Sequence, residues 1–348
     1  GNYMTDGMGI SASTDLVYVE NSIPNSQVLQ IMEDYYGIET YHVLDDPNNT
    51  YIDHIDCWGK YLSPTKVLIR EVPTSHAQYG EIEATATYFG NSTNEWGEPW
   101  DVYRVWTPND QPYTNSLILN EKVLVPVTGS SWDDEALTAY EEAMPGFDIL
   151  PFTGSWESTD ALHCRVKGIP DLGMLQIFHN PINDSTEAID NGYPVEVIID
   201  DLSDAGLIED SIKVFWKNPG MNEWNSEYLY VSDVPEESNT WSGWIPTQEE
   251  GTIQYYIQSA DSSGRIENSP LAGWHEFWAF PPNTCLEWDL GDMNNSGNID
   301  IFDILLLADY VNSGYFPGSC PQTVSDINSD GNLNLIDVIA LVNMIIYP

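Results

Sequence analysis

The sequence predicts a multidomain protein of mixed class, with an α/β domain over residues 1–186, an all-β domain over residues 192–280 and a small α-helical domain over residues 288–348. In the first part, apolar strands alternate with short helical segments, whereas the second part holds short strands without helices. The last part holds two copies of one acidic loop, each followed by an apolar helical run. The 348 residues are enough for two or three domains.

Helical periodicity and short apolar runs define the first domain. Asn25–Tyr36 is predicted to be helical because Val28, Ile31 and Met32 share one face, and Asp133–Ala143 is the second predicted helix. Between them the sequence predicts strands at residues 67–69, 116–119 and 123–127.

The second domain is predicted from four regularly spaced strands separated by turn-rich loops. These strands cover residues 195–199, 212–216, 227–231 and 253–257. Such a pattern is typical of a β-sandwich. Residues 279–287, which are rich in proline and polar residues, form the predicted linker to the last domain.

Two twelve-residue loops, separated by 34 positions, predict a pair of calcium sites. Oxygen-bearing side chains stand at loop positions 1, 3, 5, 9 and 12, glycine stands at position 6 for the sharp turn, and position 7 offers its backbone carbonyl. Calcium takes about six to eight oxygen ligands, which such a loop supplies by wrapping around the ion. The predicted ligands are Asp292, Asn294, Ser296, Asn298, Asp300 and Asp303 in the first copy and Asp326, Asn328, Asp330, Asn332, Asn334 and Asp337 in the second.

Composition limits the partners of the chain. Its 55 acidic residues face only 10 Lys and Arg, so the formal charge of −45 disfavours nucleic acid and anionic membrane surfaces. No apolar run is long enough to span a bilayer. Because the sequence begins with Gly1 and lacks a signal peptide, we expect an incomplete or processed chain. Cys285 and Cys320 flank the first loop, and their spacing leaves open whether they form a disulfide.

Three side chains offer the parts of a thiol-based active site. If His54 and Asp56 lie on a strand, both face one side of it, and Cys164 supplies a nucleophile. On residue types alone, a structural His-x-Asp pair and a cysteine in the core remain alternatives. Cys57 is a second thiol, which we expect to pack behind the strand.

Four segments together resemble the bacterial peptidylarginine deiminases of the Porphyromonas type, which belong to the pentein superfamily. They are the Gly-Asn-Tyr-Met-Thr-Asp-Gly string at residues 1–7 and residues 54–61, 111–120 and 159–165. The resemblance implies an α/β propeller fold. It also implies an enzyme that hydrolyses peptidyl-arginine to peptidyl-citrulline and ammonia without a cofactor. It assigns Cys164 as the nucleophile, His54 as the general acid and base, and Asp56 as a carboxylate that binds the guanidinium. Asn115 corresponds to a pocket asparagine.

The same resemblance implies that the propeller is incomplete. The family's first guanidinium-binding aspartate, and the two arginines that bind the peptide carboxylate, lie upstream of the string that begins at Gly1. Losing one partner of a buried charge clamp typically weakens binding by about 2–5 kcal/mol, so we expect little turnover from this chain. An exposed strand edge is a second expected consequence.

The two calcium loops resemble the type I dockerin, a module of paired half EF-hands that plugs into cohesin domains of extracellular scaffolds. Prolines before each loop leave no room for the incoming helix of a complete EF-hand. Loop positions 10 and 11, which help to choose the cohesin, are apolar in both copies, where they hold Ile301, Phe302, Leu335 and Ile336. The β domain, through residues 255–264, resembles secreted Ig-like modules.

Three functions therefore remain open from the sequence. The first is a secreted or cell-surface peptidylarginine deiminase carried by a dockerin that binds a cohesin. The second is a non-catalytic, calcium-dependent docking protein with a degenerate pentein domain. The third is an agmatine deiminase, against which the Ig-like module and the extracellular dockerin argue.

Overall fold

A computed structural model describes most of the chain. The described residues are 1–52, 54–169, 171–189, 192–231, 239–281, 288–313, 321–322, 324–328 and 332–346. They form two compact units: Gly1–Asp171 with Leu271–Gly273, and Leu172–Pro270 with Trp274–Pro348. Cys285 and Cys320, whose pairing the sequence leaves open, and Asp330, a predicted calcium ligand, lie outside the described residues.

The first unit repeats one ββαβ module three times, and each copy builds a three-stranded sheet. The first module contains β1 (Met4–Thr5), β2 (Ile10–Thr14), the short α1 (Leu16–Val19), α2 (Asn25–Tyr36) and β3 (Thr40–Leu44). The second contains β4 (Gly59–Tyr61), β5 (Lys66–Glu71), α3 (Tyr79–Asn91) and β6 (Asp101–Trp106). The third contains β7 (Leu117–Leu119), β8 (Lys122–Val127), α4 (Asp133–Ala143) and β9 (Asp148–Thr153).

In every module the first two strands are antiparallel and the last two are parallel. A parallel pair needs a long crossover, and one helix supplies it each time. Helices α2 and α4 have the bounds that the periodicity predicts. Gly37 ends α2 in the left-handed conformation, with φ of 65°, which glycine adopts without a Cβ penalty.

Two hydrophobic cores lie between consecutive modules. Strand β5 contributes to both because its side chains alternate: Val67 and Ile69 belong to one core, and Leu68 belongs to the other. All three side chains are fully buried. Aromatic side chains fill much of the remaining volume, among them Trp58, Phe89, Tyr113 and Tyr140.

Two further sheets belong to the second unit. One sheet has the strand order β10 (Leu175–Phe178), β12 (Tyr193–Asp201), β16 (Thr240–Ile245) and β15 (Tyr230–Val231). The other has the order β11 (Ser185–Glu187), β19 (His275–Phe280), β17 (Gly251–Ala260), β13 (Lys213–Lys217) and β14 (Asn225–Tyr228), and β18 (Ile266–Ser269) also pairs with β17. Both sheets contribute to one core, to which Val197, Trp241, Ile257 and Phe277 belong.

This pairing corrects the predicted end of the first domain at residue 186. Strands β10 and β11 hydrogen-bond to β12 and β19 of the second unit, so the first unit ends at Asp171. The predicted strand at 227–231 is also interrupted, because β14 and β15 join different sheets. That the β sheets form an Ig-like module remains a prediction.

Two helices follow the calcium loops, α5 (Ile301–Ser313) and α6 (Leu335–Ile346). Their inner faces share a small core, in which Leu307 and Leu341 are fully buried. Three buried aspartates, Asp292, Asp303 and Asp337, surround this core at the loops.

A buried histidine is held in one protonation state in the second unit. His179 Nδ1 lies 2.7 Å from the Glu196 carbonyl oxygen, which only accepts, so Nδ1 carries the proton. Nε2 then accepts from the Tyr255 hydroxyl at 2.9 Å, and that hydroxyl oxygen accepts from the Ile182 amide at 2.8 Å. Burial lowers the pKa of His179 to about 4.

We expect the second unit to lose stability as the pH falls from 6.5 towards 4. The pKa of His179 is 6.5 when unfolded and about 4 when folded, so in this window the unfolded chain binds a proton that the folded chain excludes. The full effect is about 3 kcal/mol. Urea unfolding followed by tryptophan fluorescence at several pH values measures it. His179→Gln should flatten the pH dependence relative to the wild type, and equal slopes for the two proteins would contradict the assignment.

Candidate active site and calcium loops

The predicted catalytic residues lie in the connections around the modules and not in their sheets. Asp56 lies between β3 and β4, Asn115 lies between β6 and β7, and Cys164 follows β9. Short 3₁₀ helices, Ile55–Cys57 and His163–Arg165, present the first and the last of these side chains. The fold thus brings together groups that are far apart in the sequence.

Cys164, Asn115 and Asp56 are in direct contact. The Asn115 amide donates to the Cys164 sulfur at 3.1 Å, and its carbonyl oxygen accepts from the Cys164 backbone amide at 3.3 Å. The thiol donates to Oδ2 of Asp56 at 3.3 Å. Asn115 also donates to the Asp56 backbone carbonyl at 3.4 Å. Asn115 therefore fixes both the nucleophile and the turn that carries the carboxylate.

His54 begins the turn that carries Asp56, and its ring faces Gly1. A Cβ placed on Gly1 would lie 2.3 Å from His54 Nδ1, so this close approach requires glycine. Asn2 supports the same turn, because its Oδ1 accepts from the Ile55 amide at 3.2 Å and from the Thr14 amide at 2.9 Å. The prediction that a strand carries His54 and Asp56 is wrong, since residues 55–57 are helical.

The imidazole in contact with Asp56 is that of His163, which the sequence analysis did not select. Its Nδ1 lies 2.7 Å from Oδ2 of Asp56. The available signal was its position directly before Cys164, which places two polar side chains of one turn at the same carboxylate.

The electrostatics of the site favour a carboxylate and a neutral thiol. Burial raises the pKa of Asp56, but the hydrogen bond from His163 and its charge outweigh this effect, and the net pKa is below the ordinary value. Burial raises the pKa of Cys164, the charge of Asp56 raises it further, and the hydrogen bond from Asn115 lowers it in part. Burial also lowers the pKa of His54, against the opposing effect of Asp56.

Two other side chains lie close to Asp56. Cys57 is buried, and its sulfur is 3.8 Å from both Oδ1 of Asp56 and the Thr159 carbonyl oxygen. Burial and the charge of Asp56 raise the pKa of the Cys57 thiol, which makes it a poor nucleophile. Lys60 on β4 is also buried, and burial lowers its pKa to about 8 against the opposing charges of Asp56 and Cys164.

A buried arginine supports the turn from behind. Arg70 Nη1 donates to Asn48 Oδ1 at 2.8 Å, and Asn48 in turn donates to the Cys57 carbonyl at 3.2 Å. Arg70 also forms an ion pair with Asp110 at 2.6 Å. The charge of this buried guanidinium is therefore paired, and its hydrogen bonds hold the Asp56 turn in place.

In the first calcium loop, the acidic side chains point inward and bind backbone amides. Asp292 accepts from the Ser296 and Gly297 amides at 3.0 and 2.7 Å. Asp303 accepts from the Met293 and Asp300 amides at 2.9 and 2.8 Å, which joins the two ends of the loop. The donor set is oxygen only, as a hard cation requires.

The described part of the second loop repeats this closure. Asp337 is buried and accepts from the Asn334 amide at 3.0 Å and from the Asn328 amide at 3.4 Å. Among the described residues, no three His, Cys, Asp or Glu side chains are grouped closely enough to hold a metal. A cation in these loops therefore also needs the amide, hydroxyl and backbone oxygens. These oxygens and the buried carboxylates fit calcium.

The sequence matches two known families in the regions that carry these sites. Residues 1–170 match the profile of the Porphyromonas-type peptidyl-arginine deiminase, and residues 290–346 match that of the dockerin type I domain. The chain therefore has a deiminase-family domain at its N terminus and a type I dockerin domain at its C terminus.

Several solved deiminases are similar to part of this chain. A protein described as an arginine deiminase from Porphyromonas gingivalis has 20% identity and a TM-score of 0.43, over 47% of this chain and 54% of that chain. The C. jejuni agmatine deiminase has 15% identity and a TM-score of 0.42, over 47% and 53%. The agmatine deiminase of Enterococcus faecalis has 18% identity and a TM-score of 0.41, over 47% and 55%. The chain thus spans about half the length of these structures.

Within the described ranges of the chain, no helix has both the length and the apolar character that a membrane span requires.

Proposed function

We propose that this chain is a secreted or cell-surface peptidylarginine deiminase, which a calcium-loaded dockerin attaches to a cohesin. The observation that carries the enzymatic part is the contact of one thiol with one buried carboxylate and one amide, at Cys164, Asp56 and Asn115. A guanidinium is planar and permanently charged, so a carboxylate both binds and orients it. No cofactor is required for this chemistry.

Substrate binding activates the nucleophile in this proposal. The arginine guanidinium pairs with Asp56 and cancels the negative charge that raises the pKa of Cys164. The Cys164 thiol passes its proton to His54, and the resulting thiolate attacks the central guanidinium carbon, while Asn115 keeps the sulfur in place. His54 delivers a proton to the departing ammonia. A covalent thiouronium remains on Cys164.

Hydrolysis completes the reaction. His54, which is now neutral, takes a proton from water, and the resulting hydroxide attacks the thiouronium carbon. The carbon–sulfur bond breaks, which returns the Cys164 thiolate and releases a citrulline residue. Both chemical steps use Cys164 and His54 and need no second site.

An assay of the full chain with two guanidinium substrates tests the proposal. We expect slow turnover, in which benzoyl-arginine amide yields benzoyl-citrulline amide and ammonia in equal amounts, and agmatine reacts more slowly still. Preference for agmatine would identify an agmatine deiminase. If neither substrate reacts, a docking protein with a degenerate deiminase domain is the correct assignment.

The docking part of the proposal rests on an apolar surface that the two loop–helix repeats share. We define the docking surface as residues Ile301, Phe302, Leu305, Leu335, Ile336 and Ile339, which are between 53% and 65% exposed. Its members occupy equivalent positions on α5 and α6, since each residue of the first set has a counterpart 34 positions later. Exposed apolar clusters of this kind mark protein interfaces. One calcium ion in each loop orders the helix that presents them.

Acidic substitutions in the docking surface should weaken cohesin binding without unfolding the helices. We expect Phe302→Asp with Ile336→Asp to weaken binding about thirtyfold or more, the effect of losing a typical hot spot of about 2 kcal/mol. Calorimetry with a panel of cohesins in calcium measures the loss. Phe302→Leu with Ile336→Val keeps the surface apolar and serves as the matched control. Unchanged affinity of the acidic variant would place the interface elsewhere.

A further inference from the structure

One oxygen atom connects His163 with the nucleophile. Oδ2 of Asp56 lies 2.7 Å from His163 Nδ1 and 3.3 Å from the Cys164 sulfur. The Asp56 side chain is only 3% exposed, whereas that of His163 is 31% exposed. The deeply buried Asp56 carboxylate thus accepts its shortest side-chain hydrogen bond from His163, which is partly exposed.

The backbone holds His163 in this position. The His163 amide donates to the Asn115 carbonyl oxygen at 3.1 Å, and the next amide, that of Cys164, donates to Asn115 Oδ1 at 3.3 Å. His163 and Cys164 also belong to the same 3₁₀ helix. The contact with Asp56 is therefore built from a fixed turn and does not depend on a flexible loop side chain.

The other carboxylate oxygen faces a weaker partner. Oδ1 of Asp56 lies 3.8 Å from the buried Cys57 sulfur, a long contact for a thiol donor. A guanidinium that approaches Asp56 therefore meets Oδ1 with its acceptor capacity largely unused. Oδ2, in contrast, is already engaged on the side of the nucleophile.

We propose that His163 is a positioning residue, which holds Oδ2 of Asp56 beside the Cys164 sulfur and leaves Oδ1 to bind the substrate guanidinium. This inference rests on the proposed deiminase function. His163 acts through Asp56, so its role is in substrate binding and alignment. The hydrogen bond also keeps the buried carboxylate ionised, because burial on its own favours the neutral acid.

Several titratable groups surround Asp56 and must be considered in any pH profile. They are His163, Cys164, Cys57, His54, Lys60 and the amino group of Gly1. Only His163 donates a short hydrogen bond to Asp56 among these groups in the described structure. The test must therefore change His163 and leave the other groups intact. Cys164 is the exception, because the nucleophile is replaced in every sample.

Binding without turnover tests the inference in the full chain. Cys164→Ser is the parent for all samples, benzoyl-arginine amide is the ligand, and calorimetry gives Kd between pH 5 and pH 8. Adding His163→Phe removes the donor but keeps a ring. We expect His163→Phe to raise Kd at pH 7 about tenfold. The pH below which binding is lost should rise by about one unit. Adding His163→Asn supplies an amide donor near the position of Nδ1 and should restore Kd to within about threefold of the parent.

Each outcome distinguishes this inference from the proposed function. If the parent variant binds no guanidinium ligand, both are overturned. If the parent binds and His163→Phe binds equally well with the same pH profile, the proposed function stands and the role of His163 is refuted. A purely structural role for His163 predicts lost thermal stability with an unchanged pH profile. Should His163→Phe fail to fold, His163→Ala replaces it in the same measurement.

Discussion

Replacing Cys164 by serine is expected to lower kcat for benzoyl-arginine amide about a thousandfold or more. A serine hydroxyl at this site has no comparable anionic form at neutral pH, and in the proposed mechanism the thiolate forms the covalent intermediate. The Asn115 amide and Oδ2 of Asp56 remain to hold the replaced side chain, so KM should change much less than kcat. Steady-state release of citrulline measures both constants.

Cys57→Ser is the matched control, because it makes the same chemical change at the second thiol near Asp56. Cys57 is buried and its pKa is raised, so we expect kcat to stay within about tenfold of the wild type. Burying a hydroxyl in place of the thiol should instead cost about 1–3 kcal/mol of stability. The assignment of the nucleophile is wrong if Cys57→Ser abolishes turnover while Cys164→Ser retains it.

Removal of calcium is expected to unfold the two loop–helix repeats in the C-terminal part of the chain. Buried carboxylates such as those of Asp292, Asp303 and Asp337 lose their counter-ion, and no Lys or Arg follows Arg265 to replace it. Free calcium at about a hundred times its Kd stabilises the folded form by about 2.7 kcal/mol, and chelation removes this contribution. Trypsin has no cleavage site after Arg265, so chymotrypsin with mass spectrometry is the suitable probe of Phe302 and Tyr310.

Removal of a single carboxylate should have the same effect as the chelator. Asp303→Ala leaves the Met293 and Asp300 amides without their acceptor and removes a predicted calcium ligand, so rapid cleavage should occur even in calcium. Asp309→Ala removes the same charge from an exposed position of α5 and is the control. Equal protection of Asp303→Ala and the wild type in calcium would exclude Asp303 as a ligand.

Local patterns in the sequence were sufficient to predict many of the helices and strands. The apolar spacing of Val28 and Met32 gave the bounds of α2, and these two side chains are buried as predicted. Helix α3 was not predicted, although Ile82, Ala86 and Phe89 have helical spacing and are buried. Its two glycines and two threonines lower the helix propensity and hide that pattern.

The repeated ββαβ module could not be predicted from local patterns, since pairing of parallel strands depends on contacts across the whole crossover. The candidate site shows the same limit. Cys164, Asp56 and Asn115 were selected from resemblance, and the structure brings them into contact. His163 was missed because its one local signal, the position directly before Cys164, does not show that the imidazole reaches a carboxylate 107 positions earlier in the chain.

The segments that carry the reactive groups are separate from the sheets that keep the first unit folded. Asp56 and Asn115 belong to the segments between modules and Cys164 belongs to the segment after the third module, and the first two segments also place Ile55, Trp58 and Tyr113 in the cores. Segment exchange between related enzymes should therefore transfer one chemical function at a time, as long as these core side chains are kept. Such chimaeras offer a practical route to new guanidine-modifying catalysts, in which selectivity is evolved in three short stretches.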